Sequence, residues 1–346
     1  MNDLRIRLGH NLGPLLALGL FLVFYLIYNA YHPRGFSGQL LVQNANESFV
    51  LVMVAMAQTL PALVGGLDLS VGATMTMVNT VGSYLLVGSP LQIVGGIIVC
   101  LLVGSLAGFV NGCVIVYGRI QPIIATLATG AVYMGIALFL RPTPGGRIDG
   151  DVSWALTNDI YEFAATYGLA EDGDAAWLQP IAWVPLPIIF LVLIVLLVWL
   201  PFRNSVTGRS LYAVGSAEGA AYMSGLRVDR AKIAAFTLAG LFAGFAGVYL
   251  TLQTSSGNAD VPQAAAYTLN SIAAVVIGGT SLLGGVGGCI GSIFGALVIR
   301  SISFNFRIFD VDPLLQPLIE GMVLLAAVSI GAARVFQVKN KLELFR

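Results

Sequence analysis

Between Ser48 and Leu140 only Asp68 and Arg119 carry charge. A helix that crosses a bilayer needs about 20 apolar residues, so this stretch alone has room for four such helices joined by short connections. Composition removes the alternative of a water-facing surface. Charged residues make up 10% of the chain and mean hydropathy is +0.87, whereas a soluble domain carries about 25% charged residues. The 346 residues are therefore expected to form one all-α membrane domain, 1–346, with the lipid bilayer as its surroundings. A net charge of zero gives no bulk attraction to nucleic acid, and none is expected as a partner.

Hydropathy places ten spans at about 13–30, 48–65, 71–88, 91–117, 121–140, 185–200, 231–252, 266–283, 285–305 and 314–333. Arg5 and Arg7 precede the apolar run from Leu12 to Ala30, which resembles a signal sequence but is long enough to span and is read as an uncleaved first helix. The basic side of the membrane is set by Arg5 and Arg7, by Arg203, Arg209, Arg227, Arg230 and Lys232, and by Arg334, Lys339, Lys341 and Arg346. Six spans before the central basic segment and four after it put both termini on the cytoplasmic side. The loop 141–184 then lies outside. It holds Asp149, Asp151, Asp159, Glu162, Glu171, Asp172 and Asp174 against Arg141 and Arg147.

The chain has 41 glycines. In lipid, small residues let helix backbones approach closely, so a compact glycine-rich bundle is expected. Val64-Gly65-Gly66-Leu67-Asp68-Leu69-Ser70 is echoed by Ile277-Gly278-Gly279-Thr280-Ser281-Leu282-Leu283. Either these are unrelated glycine-rich turns, or they mark repeats whose helices are broken inside the membrane.

The sequence carries no enzymatic signature, and no cofactor is expected. It lacks a phosphate-binding G-x-x-x-x-G-K-[ST] loop, an H-E-x-x-H pair and a G-x-S-x-G elbow. Cys100, Cys113 and Cys289 lie inside apolar runs with no paired spacing, and His10 and His32 stand apart from other ligands. Asp68 is the one acid between Ser48 and Leu140. It could cap a helix beginning near Ser70, act in a pathway or gate, or couple a proton. Neutral polar residues within the spans are Gln58, Thr59, Thr74, Asn79, Thr80, Ser83, Asn111, Gln121, Thr126, Thr129, Asn270 and Ser271. They suit cross-helix bonds or a route for an uncharged, hydroxyl-rich solute. The lack of a matched charge pair argues against a zwitterion or an anion as cargo. In the loop 201–232, Ser216 is positioned to N-cap a short helix, with Glu218 in its first turn, Ala220, Ala221 and Ser224 on its surface and Gly225 ending it. Such a helix could lie on the membrane or in a groove of another protein.

Val64-Gly65-Gly66-Leu67-Asp68-Leu69-Ser70-Val71-Gly72 resembles the G-G-[IL]-D-L-S-V-G motif of permease subunits of bacterial ABC importers for ribose, galactose and related monosaccharides, in the wider group that includes branched-chain amino-acid permeases. Asn111-Gly112, Gln121-Pro122-Ile123-Ile124-Ala125-Thr126-Leu127 and Ala274-Val275-Val276-Ile277-Gly278-Gly279-Thr280-Ser281 are also similar, and the likeness covers nearly the whole chain. It implies a type II-importer-like permease fold in a bacterial inner membrane. It also implies a second permease chain, a separate ABC ATPase subunit and a periplasmic sugar-binding protein. Thr207-Gly208-Arg209 through Gly215 and on to Gly225 is similar to the family's cytoplasmic coupling region, whose short helix docks on the ATPase. The candidate pathway or structural set is Gly65, Gly66, Asp68, Ser70, Asn79, Asn111, Thr126, Asn270 and Ser271. The chain departs from the family at Thr268-Leu269-Asn270-Ser271-Ile272, where E-L-D-A-I is frequent, so no role of those acids carries over. An ion-coupled carrier using Asp68 is the alternative reading.

Overall fold

The computed structural model describes residues 2–169 and 180–315, with 318, 319, 321, 322 and 325 beyond them. The described elements are helical: α1 (Asn2–Tyr31), α2 (Gly38–Leu63), α3 (Val71–Leu85), α4 (Pro90–Tyr117) and α5 (Pro122–Leu140), then two short helices, α6 (Gly150–Thr157) and α7 (Ile160–Thr166). Next, α8 (Leu186–Ile194) runs through a π turn at Val195–Trp199 into α9 (Leu200–Asn204). After these come α10 (Val206–Ser216), α11 (Glu218–Met223), α12 (Val228–Thr254), α13 (Val261–Ile277) and α14 (Cys289–Ile308).

Seven of the described helices are long and apolar enough to cross a membrane: α1 from Leu12, α2, α4, α5, the α8–α9 rod, α12 and α14. The expected third and eighth spans are shorter, α3 having 15 residues and α13 having 17. At 1.5 Å per residue they rise only about 22 and 25 Å, against about 30 Å of hydrocarbon. Each adjoins one of the two glycine-rich echoes, which are non-helical. The expected span at 314–333 lies outside the described residues save for a few positions. So do Glu171, Asp172, Asp174 and Trp177 of the outer loop and Arg334, Lys339, Lys341 and Arg346.

Boundaries move where polar residues prolong a helix. The second starts at Gly38 rather than 48, because Ser37 Oγ accepts the Leu40 amide at 3.3 Å and Gln43 bonds Glu47 one turn on, at 3.1 Å. The eighth starts at Val261, where Asp260 Oδ1 accepts the Gln263 amide at 2.9 Å.

Most residues of α2, α12 and α14 are buried, whereas α1, α4, α5 and the α8–α9 rod expose broad apolar faces. Met53, Met56 and Leu60 of α2 pack with Phe236 and Phe242 of α12 in the main core. Against α12 lies α4, at backbone contact: a Cβ on Gly108 would meet Phe236 O at 2.1 Å. Such an approach is open only to glycine and supplies the dispersion contacts that stand in for a hydrophobic drive in lipid.

The described part of the segment expected outside, 141–169 and 180–184, is stitched to the bundle. Gly145 and Gly257 exchange backbone bonds at 3.1 and 2.8 Å, and the Asp149 amide donates to Leu86 O at 3.0 Å. Two of its acids cap helices: Asp149 accepts from Val152 N and Asp159 from Glu162 N, both at 3.0 Å. Trp154 and Trp183 remain exposed.

Candidate functional site

Both glycine-rich echoes end a helix in the same way. Beyond α2, Gly65 is left-handed (φ 75°) and the Gly66 amide donates back to Pro61 O at 2.9 Å. Beyond α13, Gly279 is left-handed (φ 82°) and the Thr280 amide donates back to Val275 O at 3.0 Å. This is a Schellman cap, which satisfies carbonyls that the helix leaves open. A turn follows each cap. Asp68 Oδ1 accepts the Ser70 amide at 2.8 Å, and Ser281 Oγ accepts the Leu283 amide at 3.2 Å. The sequence echo is thus also an echo of backbone bonding.

Non-helical backbone inside a membrane protein must find partners within the protein. In the first break and the first turn of α3, side chains of α2, α5 and α13 provide them, and α4 bonds the Ser70 hydroxyl. Gln58 of α2, in the amide orientation that satisfies both groups, donates to Asp68 O at 2.8 Å and accepts from Asp68 N at 3.3 Å. Thr126 of α5 accepts the Leu69 amide at 3.0 Å, and Thr268 of α13 accepts the Gly72 amide at 3.1 Å. The Ser70 hydroxyl donates to Asp68 Oδ1 at 2.6 Å and accepts from Asn111 Nδ2 of α4 at 2.8 Å. The Tyr133 hydroxyl of α5 reaches Asn111 Oδ1 at 3.1 Å. Asp68 is 3% exposed and Ser70 and Thr126 are fully buried. The network is closed, so removal of one member strands others.

Of the candidate pathway residues, this network gathers Asp68, Ser70, Asn111 and Thr126, with Gly65 and Gly66 in the cap that leads into it. Gly66 packs on Pro122 and Phe236. Ser271 is buried one turn from Thr268 and donates to its carbonyl at 2.7 Å, and Asn270 is half-buried beside it on α13. Asn79 lies elsewhere, further along α3. It donates to Thr251 Oγ1 at 3.0 Å and Ser256 O at 3.1 Å and accepts from Asn258 N at 2.9 Å. It clamps α3 to the end of α12 and the turn after it.

The two breaks meet. The Gly285 amide donates to Leu63 O, the last carbonyl of α2, at 3.0 Å. Into this meeting point α10 inserts Gly215, on which a Cβ would lie 1.9 Å from Leu63 O and 2.5 Å from Gly285 N. A Tyr212 hydroxyl bond to Gly287 O at 3.1 Å ties the same helix to the second break. The 201–232 segment, expected to hold one short helix, holds both α10 and α11. Ser205 caps α10, its Oγ accepting from Gly208 N at 3.0 Å.

Ser216 is not the N-cap of the short helix. It closes α10, with its hydroxyl on Tyr212 O at 2.8 Å, and Ala217 holds the cap position of α11 without a side-chain bond. The hydroxyl serves the preceding helix because a carbonyl four residues back is always in reach there. Gly225 (φ 79°) follows the end of α11, and Glu218 pairs with Lys232 of α12 at 2.6 Å. Ala220 and Ser224 are exposed, while Ala221 is 4% exposed and faces the bundle. Tyr222 and Met223 stand out at 74% and 88% exposure.

Sequence reasoning missed Arg300. It is the one charge between Cys289 and Phe306 of α14, donates from Nη2 to Tyr267 OH at 2.9 Å, and keeps a buried Nε with no partner among the described residues. A lone arginine in an apolar helix is a sequence signal. Among the described residues no group of His, Cys, Asp or Glu is disposed to hold a metal.

The sequence is similar to those of known proteins. Residues 40–328 match the family described as "Branched-chain amino acid transport system / permease component". The ribose import permease protein RbsC of Bacillus subtilis (strain 168) is 33% identical over 92% of this chain and 91% of its own length. The fructose import permease protein FrcC of Rhizobium meliloti is 30% identical over 92% of this chain and 84% of its own, and the D-allose transport system permease protein AlsC of Escherichia coli (strain K12) is 28% identical over 82% and 80%. No solved structure matches. With two broken helices joined at their ends and a full-length likeness to sugar permeases, the chain belongs to this family of multi-pass membrane permeases, as a sugar ABC importer permease.

Proposed function

We propose that this chain carries a neutral pentose or hexose across the bacterial inner membrane by alternating access, powered by a separate ABC ATPase. A periplasmic sugar-binding protein delivers the solute to the 141–184 side, a second permease chain completes the pathway, and both termini face the cytoplasm. The observation that carries this reading is the backbone contact of Gly215 with Leu63 O and Gly285 N. A helix seated there transmits displacement to the end of α2 and to the second break with no side chain to absorb it, as close-packed interiors require. The coupling set is Gly215, Ser216, Glu218, Ala220, Ser224 and Gly225, with Ala221 packed inward behind them, and the candidate pathway set is the polar one around Asp68 with Asn79, Asn270 and Ser271. Tyr222 and Met223 supply an exposed apolar tip suited to a groove on the ATPase.

Reconstitution tests this. The chain purified with its ATPase should take up labelled sugar only with ATP and binding protein present, and insensitively to ionophores. Uptake by the chain alone, abolished when the ion gradient is collapsed, would overturn the proposal in favour of a carrier using Asp68. Within the complex, Tyr222→Asp and Met223→Asp should each lower sugar moved per ATP at least tenfold without altering abundance. Ala221→Glu behaves differently. Its charge would enter the bundle, so it should lower abundance itself.

A further inference from the structure

One groove lies outside the candidate site. It has a volume of about 380 Å³ and runs along the outer side of α12 from Arg230 past Ile233 and Ala234 to Leu241, with Phe202 of α9 and Ser105 of α4 as its other walls. Arg230 to Leu241 rises about 16 Å at 1.5 Å per residue, close to half of the roughly 30 Å hydrocarbon core. The groove is therefore one leaflet deep.

Its walls are hydrocarbon. The Ser105 hydroxyl donates to Leu101 O and the hydroxyl of Thr237, also in the wall, to Ile233 O, both at 2.8 Å. Each is turned back onto its own helix. Only the end at Arg230 is charged. Arg230 is exposed in the first turn of α12 and forms no ion pair among the described residues. Arg203, Arg209 and Arg227 on the same side add positive potential against Glu218 and Asp229.

The dimensions select the occupant. Its length of about half the hydrocarbon core and its apolar walls suit one acyl chain laid along α12. A small polar solute would find no partner along the walls. We propose that this groove binds an anionic phospholipid, with one acyl chain along α12 and the headgroup phosphate on the Arg230 guanidinium. The lipid would bridge α9 and α12, the two helices that bracket α10 and α11. The inference needs only membrane residence and does not depend on the transport reading.

Titrating the delipidated full-length protein with phosphatidylglycerol and phosphatidylcholine, followed by native mass spectrometry, tests it. The wild type should bind one phosphatidylglycerol at least tenfold more tightly than phosphatidylcholine. Arg230→Gln should reduce that preference to threefold or less, and Ala234→Phe, which fills the groove, should weaken both lipids about tenfold. A preference unchanged in Arg230→Gln, or none in the wild type, would overturn the proposal. A photoreactive group at Leu241 gives a readout independent of those variants. Labelled phospholipid supports the site, and labelled protein, whether a second copy or the ATPase, refutes it.

Discussion

Gly215→Val should remove nearly all folded protein from the membrane, and with it sugar uptake. The added Cβ alone would lie 1.9 Å from Leu63 O, well inside contact distance, and both neighbours are backbone that cannot rotate away. Separating them breaks the Gly285 amide bond to Leu63 O, now 3.0 Å, and leaves a donor stranded between helices. A stranded buried donor costs about 1–3 kcal/mol and overpacking typically about 1–3 kcal/mol more. The sum, on the order of 4 kcal/mol, is a large share of a stability of about 5–15 kcal/mol. Membrane abundance should fall at least tenfold, and thermal unfolding of whatever remains should start lower. Gly219→Ala is the matched control, because a Cβ there meets nothing within 4 Å and both abundance and uptake should stay normal. Normal abundance of Gly215→Val would mean that α10 does not rest on the two breaks.

The second large effect is at Asp68, where the kind of substitution matters more than the loss of charge. Asp68 Oδ1 accepts both the Ser70 amide at 2.8 Å and the Ser70 hydroxyl at 2.6 Å. Asp68→Ala leaves both donors buried without an acceptor, at about 1–3 kcal/mol each. Abundance should drop severalfold or more, along with thermal stability. Asp68→Asn keeps an oxygen in the same place and should retain most of the folded protein. Ser70→Ala should fall between them, since it strands Asn111 Nδ2 but leaves the Ser70 amide bonded. Abundance and uptake measured together separate the roles of Asp68. If all three variants lose uptake only in proportion to abundance, Asp68 is a structural member of the network. Normal abundance of Asp68→Asn with uptake abolished would make the negative charge itself part of the pathway or gate.

Local chemistry explains which features were legible in the sequence. An apolar run long enough to span can do little but become a helix in lipid, since no water is present to satisfy an open backbone. Seven of the ten expected spans accordingly coincide with described helices long and apolar enough to cross. The echo of Gly65-Gly66 in Gly278-Gly279 was visible because a left-handed cap followed by a turn draws on few residue types, among them Gly, Asp and Ser. Ser216 misled because a serine hydroxyl has two local options, the amides ahead or the carbonyl behind. Only the continuation of α10 decides between them. Ala221, taken for a docking surface, turns inward because Tyr222 and Met223 occupy the outward positions of a helix only six residues long.

Sequence alone determined that the chain lives in a membrane, which of its segments are apolar enough to cross it, and where its glycine-rich turns lie. These follow from the length and polarity of contiguous segments, and each is a property of one stretch of chain against its solvent. Tertiary structure alone decided that Asp68, Ser70, Asn111 and Thr126 share one network while Asn79 serves another. It also decided that the two breaks touch and that Gly215 lies between them. Such pairings join residues tens to hundreds of positions apart. They are fixed by which backbones can approach closely enough to bond, and that distance is not written in any single segment.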